Sequence, residues 1–194
     1  WMLTSTIYRV RGTDLHNIPD EGPVLLVANH VSYVDALIIT AACHRPVRFV
    51  MDADIYNKPF LNWIFRLAGT IPILPEHKDS KVFEKAFQQI DAYLKDEEVV
   101  LIFPEGKITV DGEINDFKRG VTRILSDNRV PVVPLALKGL WGSKFSFADR
   151  LSKKRWFKTA KRNVEVLAGE MVSPVMAEPE FLRTRVVELR GGTR

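Results

Sequence analysis

The chain has 194 residues, of which 46% are hydrophobic and 27% are charged, which excludes a disordered protein and fits a single domain over residues 1–194. With a single cysteine, Cys43, the chain cannot form an internal disulfide or a metal site built on cysteines. It contains no run of about 18 apolar residues, so the sequence predicts no membrane-spanning helix. Lys and Arg number 28 against 24 Asp and Glu, an excess too small for a uniformly basic surface.

Short apolar runs alternate with helical patterns along the chain. The predicted strands are 23–28, 47–51, 70–74, 99–103, 130–137 and 163–167. The predicted helices are 32–42, 59–67, 81–95, 117–126 and a last one that opens at Pro179. The strand runs are continuously apolar, which favours an α/β fold with a mostly parallel, mixed central sheet flanked by helices.

The first loop with candidate chemistry follows predicted strand 23–28, where open sheets of this kind place their functional loops. His30 comes directly after the strand, and Asp35 lies in the first turn of the next helix. Because the chain folds back there, the Asp35 carboxylate can meet one ring nitrogen of His30 and leave the other free to accept a proton. A structural role is the alternative, since Ser32-x-x-Asp35 also fits a capping box.

The second candidate loop follows predicted strand 99–103 and reads Pro104-Glu105-Gly106-Lys107. A glycine beside a carboxylate lets a ligand approach the backbone closely. Glu105 is a candidate to accept a hydrogen bond from a substrate hydroxyl, and Lys107 is a candidate to neutralise a phosphate. The alternative is a simple turn with an exposed charge.

Together, the two loops resemble a known family. Asn29-His30-x4-Asp35 and Phe103-Pro104-Glu105-Gly106 resemble two signature motifs of the glycerolipid acyltransferase superfamily, which includes the lysophosphatidic acid acyltransferases. The Val-Pro-rich stretch 130–134 resembles a late strand of the family, and 69–73 stands where the family has its second motif. The resemblance covers the chain from about Tyr8 onward.

This resemblance implies transfer of a fatty acyl group from a thioester to a glycerol hydroxyl. His30 would be the general base, Asp35 would orient and support it, and no acyl-enzyme is required. The residues that would bind the acceptor are Asn29, Glu105, Gly106, Lys107 and Lys118. No cofactor is implied, because the acyl donor is a co-substrate carried on acyl carrier protein or coenzyme A. No metal is implied either, because His30, Asp35 and Glu105 lack a further ligand pair of recognisable spacing.

Departures from the family pattern bear on the acceptor. Many members have an arginine where this chain reads 73–75, and another where this chain has Lys107. Lysine lacks the bidentate fork of arginine, so fewer fixed cations favour a lysophospholipid with a phosphodiester. Several stretches resemble most the acyltransferase domain of bacterial 2-acylglycerophosphoethanolamine acyltransferases. The alternative is a 1-acylglycerol-3-phosphate acyltransferase that makes phosphatidic acid.

The resemblance also predicts where the protein works. Domains of this bacterial type are often fused to a lysophospholipid transporter, so a fused or associated transporter is an expected partner. We expect the domain to lie at the cytoplasmic face of the inner membrane, as a peripheral protein or as a domain cut from a longer membrane protein.

A basic tract from Arg150 to Arg162 carries seven of the cations and no acidic residue. Cations interleaved with aromatic rings suit contact with an anionic membrane surface or an acidic carrier protein. The predicted contacts are Lys153, Lys154, Arg155, Trp156 and Lys158. A basic-patch module that binds lipid or nucleic acid is the non-enzyme alternative, but no nucleic-acid-binding signature accompanies the tract, so nucleic acid is not an expected partner.

Two further alternatives remain open. If His30 activated water instead of a lipid hydroxyl, the protein would be a thioesterase. The apolar run 59–65 is bulky enough to line a tunnel for an acyl chain, although such runs more often belong to the core.

Overall fold

The computed structural model describes residues 8–59, 62–143, 146 and 162–192. The predicted membrane or carrier contacts Lys153, Lys154, Arg155, Trp156 and Lys158 lie outside the described residues, as do residues 60 and 61 of predicted helix 59–67.

The described chain forms strands, helices and two short 3-10 turns. The strands are β1 Tyr8–Thr13, β2 Val24–Ala28, β3 Val47–Asp52, β4 Ile71–Ile73, β5 Val99–Ile102, β6 Val132–Lys138 and β7 Arg162–Ala168. The helices are α1 Asp35–Ala42, α2 Ala53–Tyr56, α3 Asn62–Leu67, α4 Ser80–Lys95, α5 Gly120–Asp127 and α6 Pro179–Arg190. The 3-10 turns are Leu15–Asn17 and Pro174–Met176.

The seven strands form one sheet in the order β1-β7-β6-β2-β5-β3-β4. Every neighbouring pair is parallel except β6 and β7, which are antiparallel. The predicted fold class, a mostly parallel mixed sheet flanked by helices, is therefore confirmed. Strand β2 lies at the centre between β6 and β5, and all five of its residues are buried, which explains its unbroken apolar sequence.

Helices cover both faces of the sheet and bury a separate apolar cluster on each. On one face, Ile38 of α1 and Phe65 of α3 pack in the same cluster as Leu26. On the other face, α4, α5 and α6 pack in a cluster that contains Leu25 of the same strand. Successive residues of β2 thus point to opposite faces, as strand geometry requires.

Helix α4 shows how closely a periodic pattern can predict an element. The sequence predicts a helix over 81–95 from its apolar spacing, and the helix runs over Ser80–Lys95 with Phe87, Ile90 and Leu94 buried. Its start is set by Asp79, whose side chain accepts hydrogen bonds from the backbone of Lys81 and Val82.

Two differences from the predicted elements matter for the site. Strand β1 is not predicted, because Tyr8 and Val10 are its only apolar side chains, too few for a recognisable strand pattern. It lies at the edge of the sheet, paired with β7. Helix α1 begins at Asp35 rather than at residue 32, because the residues before it form a turn held by the Asp35 side chain. None of the helices in the described ranges is long and apolar enough to cross a membrane.

Candidate active site

The two candidate loops meet at one edge of the sheet. Strands β2 and β5 are adjacent and parallel, so the loops that follow their carboxyl ends are neighbours. The first loop carries His30 and the second carries Glu105, and the backbone N–H of His30 donates a hydrogen bond to Glu105 Oε1 at 2.7 Å.

Asp35 is fully buried and organises the first loop through one oxygen atom. Its Oδ2 accepts hydrogen bonds from the backbone N–H of Val31 and Ser32, at 2.6 and 2.9 Å. The same oxygen lies 2.9 Å from His30 Nδ1. The same carboxylate therefore holds the turn before α1 and orients the histidine. Only half of the capping box is present, because the Ser32 hydroxyl accepts from the backbone of Val34 and not of Asp35.

The His30 ring is held in a fixed orientation with one nitrogen available. An ionised carboxylate can only accept, so Nδ1 carries the proton and Nε2 is the basic nitrogen of the neutral ring. The ring stacks on Phe103 with centroids 4.2 Å apart and an interplanar angle of 14°. Nε2 makes no hydrogen bond to any residue that the structure describes, and 22% of the side chain is exposed. This arrangement suits a general base.

Glu105 is more buried than the sequence predicts, with 1% of the residue exposed. Besides the bond from His30, its carboxylate accepts two hydrogen bonds at 2.7 Å from Asn115, one from the backbone N–H and one from the side-chain amide. Burial raises the pKa of Glu105, and these hydrogen bonds act in the opposite direction. Direct binding of the acceptor by Glu105 remains a prediction.

Gly106 and Lys118 lie together at the mouth of the site. Gly106 has a φ of +63°, and a Cβ there would lie 2.7 Å from Lys118 Nζ. Lys118 falls within the predicted helix 117–126, but in the structure it precedes α5. Its backbone N–H donates a hydrogen bond to the carbonyl of Pro104 at 2.9 Å. Lys107 is exposed on the same loop. Two flexible cations therefore flank the glycine, where an anionic group of an acceptor can be neutralised.

Asn29 lies beneath the site and faces the neighbouring strand. It is 1% exposed, its side-chain carbonyl accepts from the backbone N–H of Leu137 at 2.8 Å, and its amide donates to the Leu137 carbonyl at 3.2 Å. Its predicted role in substrate binding is untested, and the visible role is to join the end of β2 to β6.

Two residues that sequence reasoning missed also hold the site. Asn115 anchors the Glu105 carboxylate, and Thr109 donates its backbone N–H to the carbonyl of His30 at 2.9 Å. Neither stands in a motif of recognisable spacing, and both act across loops, so no local signal could have found them.

Two nucleophilic side chains close to His30 in the sequence, Ser32 and Cys43, are poorly placed for attack on a substrate. Ser32 is fully buried, and its hydroxyl accepts from the backbone N–H of Val34 at 3.3 Å. Cys43 follows α1, and burial raises the pKa of its thiol to about 11. Within the described ranges, no three His, Cys, Asp or Glu residues come together as metal ligands.

With this geometry in place, comparison with known proteins identifies the class. The family model named acyltransferase matches residues 9–138, which include every loop that builds the site. The chain therefore belongs to the acyltransferase family.

Individual relatives carry more specific names. A 1-acyl-sn-glycerol-3-phosphate acyltransferase of Chlamydomonas reinhardtii is 32% identical over 144 residues, which are 72% of this chain and 42% of the relative. One from Pseudomonas aeruginosa is 30% identical over 129 residues, 66% of this chain and 48% of the relative. A lyso-ornithine lipid O-acyltransferase of the same organism is 30% identical over 115 residues, 59% of this chain and 43% of the relative. The chain thus spans less than half the length of each.

A solved structure shows the same fold. The crystal structure of the 1-acyl-sn-glycerophosphate acyltransferase PlsC from Thermotoga maritima matches with a TM-score of 0.71 at 26% identity. The match covers 95% of this chain and 70% of that chain. The mixed sheet flanked by helices is therefore the fold of a known acyltransferase.

The contacts of Glu105 predict the effect of replacing it by glutamine. Glutamine has one acceptor oxygen, so its amide nitrogen must face an N–H of His30 or Asn115 that the carboxylate now accepts. We expect Glu105→Gln to lower the free energy of unfolding by about 1–3 kcal/mol. Chemical denaturation measures this, with Glu84→Gln as the matched control, because Glu84 is an exposed partner of Arg123. Equal stability of the two variants would contradict the assignment of these three hydrogen bonds to a buried Glu105 carboxylate.

Proposed function

We propose that the protein transfers an acyl group from a thioester to the free hydroxyl of a lysophospholipid. The observation that carries this proposal is the His30–Asp35 pair, with Nδ1 held by a buried carboxylate and Nε2 free of described partners. Family membership supports the reaction class, and the absence of a well-placed nucleophile in the described part of the site supports direct transfer.

The proposed reaction needs a group that accepts the proton of the acceptor hydroxyl and a negative charge that stabilises the resulting imidazolium. Nε2 of His30 takes the proton of the acceptor hydroxyl as its oxygen attacks the thioester carbonyl carbon. The imidazolium that forms is stabilised by the Asp35 carboxylate, which stays ionised. When the tetrahedral intermediate collapses, the carbon–sulfur bond breaks, and the thiolate takes the proton from Nε2. An ester and a free thiol are the products.

Lysophosphatidic acid is the first candidate acceptor. Two of the relatives described above are named for acylation of 1-acylglycerol-3-phosphate, and Lys107 and Lys118 flank Gly106 at the site. These observations favour phosphatidic acid synthesis over the lysophosphatidylethanolamine acceptor that the departures at 73–75 and Lys107 indicate. Lysophosphatidylethanolamine is therefore the second candidate, and the donor, acyl carrier protein or coenzyme A, stays a prediction.

Release of free thiol from an acyl thioester tests the proposal. We expect release to require lysophosphatidic acid. It should fall by about 10³- to 10⁴-fold in Asp35→Asn, because His30 loses its orientation and its counter-charge. It should fall at least as much in His30→Ala, because the base itself is removed. His44→Ala is the matched control, since His44 pairs with Asp20 in an exposed position.

Three outcomes would contradict parts of this account. Thiol release that needs His30 but no lipid would make the protein a thioesterase. Higher kcat/KM for lysophosphatidylethanolamine than for lysophosphatidic acid would reverse the order of the acceptors. Full activity of His30→Ala would remove the proposed base.

We also propose that the protein meets its lipid at an anionic membrane surface through α3. Phe65 faces the core, whereas Trp63, Ile64 and Leu67 point outward with exposures of 63%, 42% and 77%. Arg66, also exposed, lies among them. An aromatic ring and aliphatic chains beside a cation suit the boundary of an anionic bilayer. Helix α3 covers the same sheet face as Phe103, on which the His30 ring stacks.

This surface complements the predicted contacts of the basic tract, which remain predictions. The cytoplasmic face of an inner membrane is the proposed location, and a fused or associated lysophospholipid transporter is the proposed means of supplying substrate.

Vesicle co-sedimentation tests the α3 surface. We expect the wild type to bind phosphatidylcholine vesicles that contain phosphatidylglycerol, and Trp63→Ser with Leu67→Ser to bind about tenfold more weakly because apolar area is lost from the boundary. Val175→Ser with Met176→Ser is the matched control, since these side chains are equally exposed beside acidic Glu178. Equal losses in the two double variants, or none in either, would contradict an α3 contact.

A further inference from the structure

Helix α6 is joined by a buried arginine to the loop before α5. Arg190 is 7% exposed, and its Nη1 donates to the carbonyl of Gly112 at 2.7 Å. Its Nη2 lies 2.9 Å from the carboxylate of Glu113. Burial of a guanidinium is costly unless charged and polar partners surround it, and these two contacts offset part of that cost, whereas Nε is buried with no partner among the described residues.

A second arginine of α6 holds the next two residues of the same loop. Arg183 donates from Nη2 to the carbonyl of Ile114 at 3.0 Å and from Nε to the carbonyl of Asn115 at 3.2 Å. Two donors on one rigid, planar group fix the direction of both carbonyls. Each of the four consecutive residues 112–115 is therefore bound by α6.

The loop bound by α6 is connected to both backbone groups of His30, to its N–H through Glu105 and to its carbonyl directly. Asn115 donates twice to the Glu105 carboxylate, which in turn accepts the backbone N–H of His30. Thr109, at the start of the loop, donates its backbone N–H to the His30 carbonyl. The Thr109 hydroxyl accepts from the backbone of Gly112, which joins the two halves of the loop.

Helix α6 lies outside the part of the chain that the acyltransferase family model matches, which ends at residue 138. The shared family pattern therefore does not account for its arginines. The neighbouring Arg185 of the same helix has different contacts, since it lies near Glu170 and Glu188 at the surface.

We propose that Arg183 and Arg190 of α6 are positioning residues for the catalytic histidine. They hold the 112–115 loop, Asn115 of that loop holds Glu105, and Glu105 holds the backbone of His30 while Asp35 holds its ring. The inference rests on the proposed function, because it assigns to α6 the placement of the base for that reaction. Displacement of a reacting group by about 1 Å can cost up to about 100-fold in rate.

The first test is Arg183→Gln in the full chain, assayed by thiol release with a long-chain acyl-coenzyme A and lysophosphatidic acid. We expect kcat to fall about tenfold with little change in KM for either substrate, because the base is displaced and no substrate contact is removed. Arg185→Gln is the matched control and should keep the wild-type kcat. A rise in KM at constant kcat, or an equal loss in the control, would overturn the proposal.

Arg183→Lys separates positioning from general destabilisation. Lysine keeps the charge and one donor but cannot hold both carbonyls as arginine does, so kcat should lie between that of the wild type and of Arg183→Gln. Melting temperatures are measured for all variants, and assays are run well below them. Loss of stability in Arg183→Gln with an unchanged kcat would show that the contact is structural only.

A double-mutant cycle with Asn115→Ala tests whether α6 acts through Glu105. Asn115→Ala leaves the helix untouched and should itself lower kcat about tenfold. If both residues act along one chain of contacts, the double variant should lose little more than either single variant. Fully additive losses would overturn the proposed route. An inactive wild type would instead overturn the proposed function, so the two failures are distinguishable.

Discussion

Two buried carboxylates, those of Asp35 and Glu105, set the position of His30, and Asp35 does so through Oδ2 alone, since its Oδ1 has no hydrogen-bond partner among the described residues. A carboxylate buried among apolar strands is costly unless N–H groups surround it. Within the described chain, the Asp35 carboxylate accepts hydrogen bonds from the ring Nδ1–H of His30 and from two backbone N–H groups. The Glu105 carboxylate accepts hydrogen bonds from the backbone N–H of His30 and from two N–H donors of Asn115. Backbone and ring of one histidine are thus fixed by different groups, and only Nε2 remains for chemistry.

In the proposed reaction, His30 and Asp35 act without a serine nucleophile. The Ser32 hydroxyl is buried and occupied by the backbone of Val34, and Cys43 lies among core side chains with its pKa raised to about 11. Both side chains are therefore poor nucleophiles, which supports the proposed direct attack by an acceptor hydroxyl. In the same proposal, Lys107 and Lys118 near Gly106 attract the anionic head group of the acceptor.

Local patterns predict the sheet and the histidine pair well. Continuous apolar runs predict β2 and β5, and the spacing of Phe87, Ile90 and Leu94 predicts α4. The contact between His30 and Asp35 follows from a five-residue separation across a turn, which sequence alone can indicate. These features depend on neighbours in the chain.

Features that depend on distant partners escape such reasoning. Two of the six residues of strand β1 are arginines, and the strand pairs with β7, about 150 residues later in the chain. Asn115 and Arg183 lie in unremarkable sequence, and their contacts arise only when α6 closes against the loop before α5. The burial of Glu105 is likewise a product of the assembled fold, whereas its motif indicates a residue open to substrate.

We propose above all that His30 activates the acceptor directly and that no acyl-enzyme forms. The most direct measurement is the intact mass of the protein, quenched after mixing with an acyl thioester in the absence of any acceptor lipid. The account predicts an unmodified mass at all times in a preparation that turns over when lipid is added. An acyl adduct that forms at the rate of turnover and disappears on addition of lipid would contradict it.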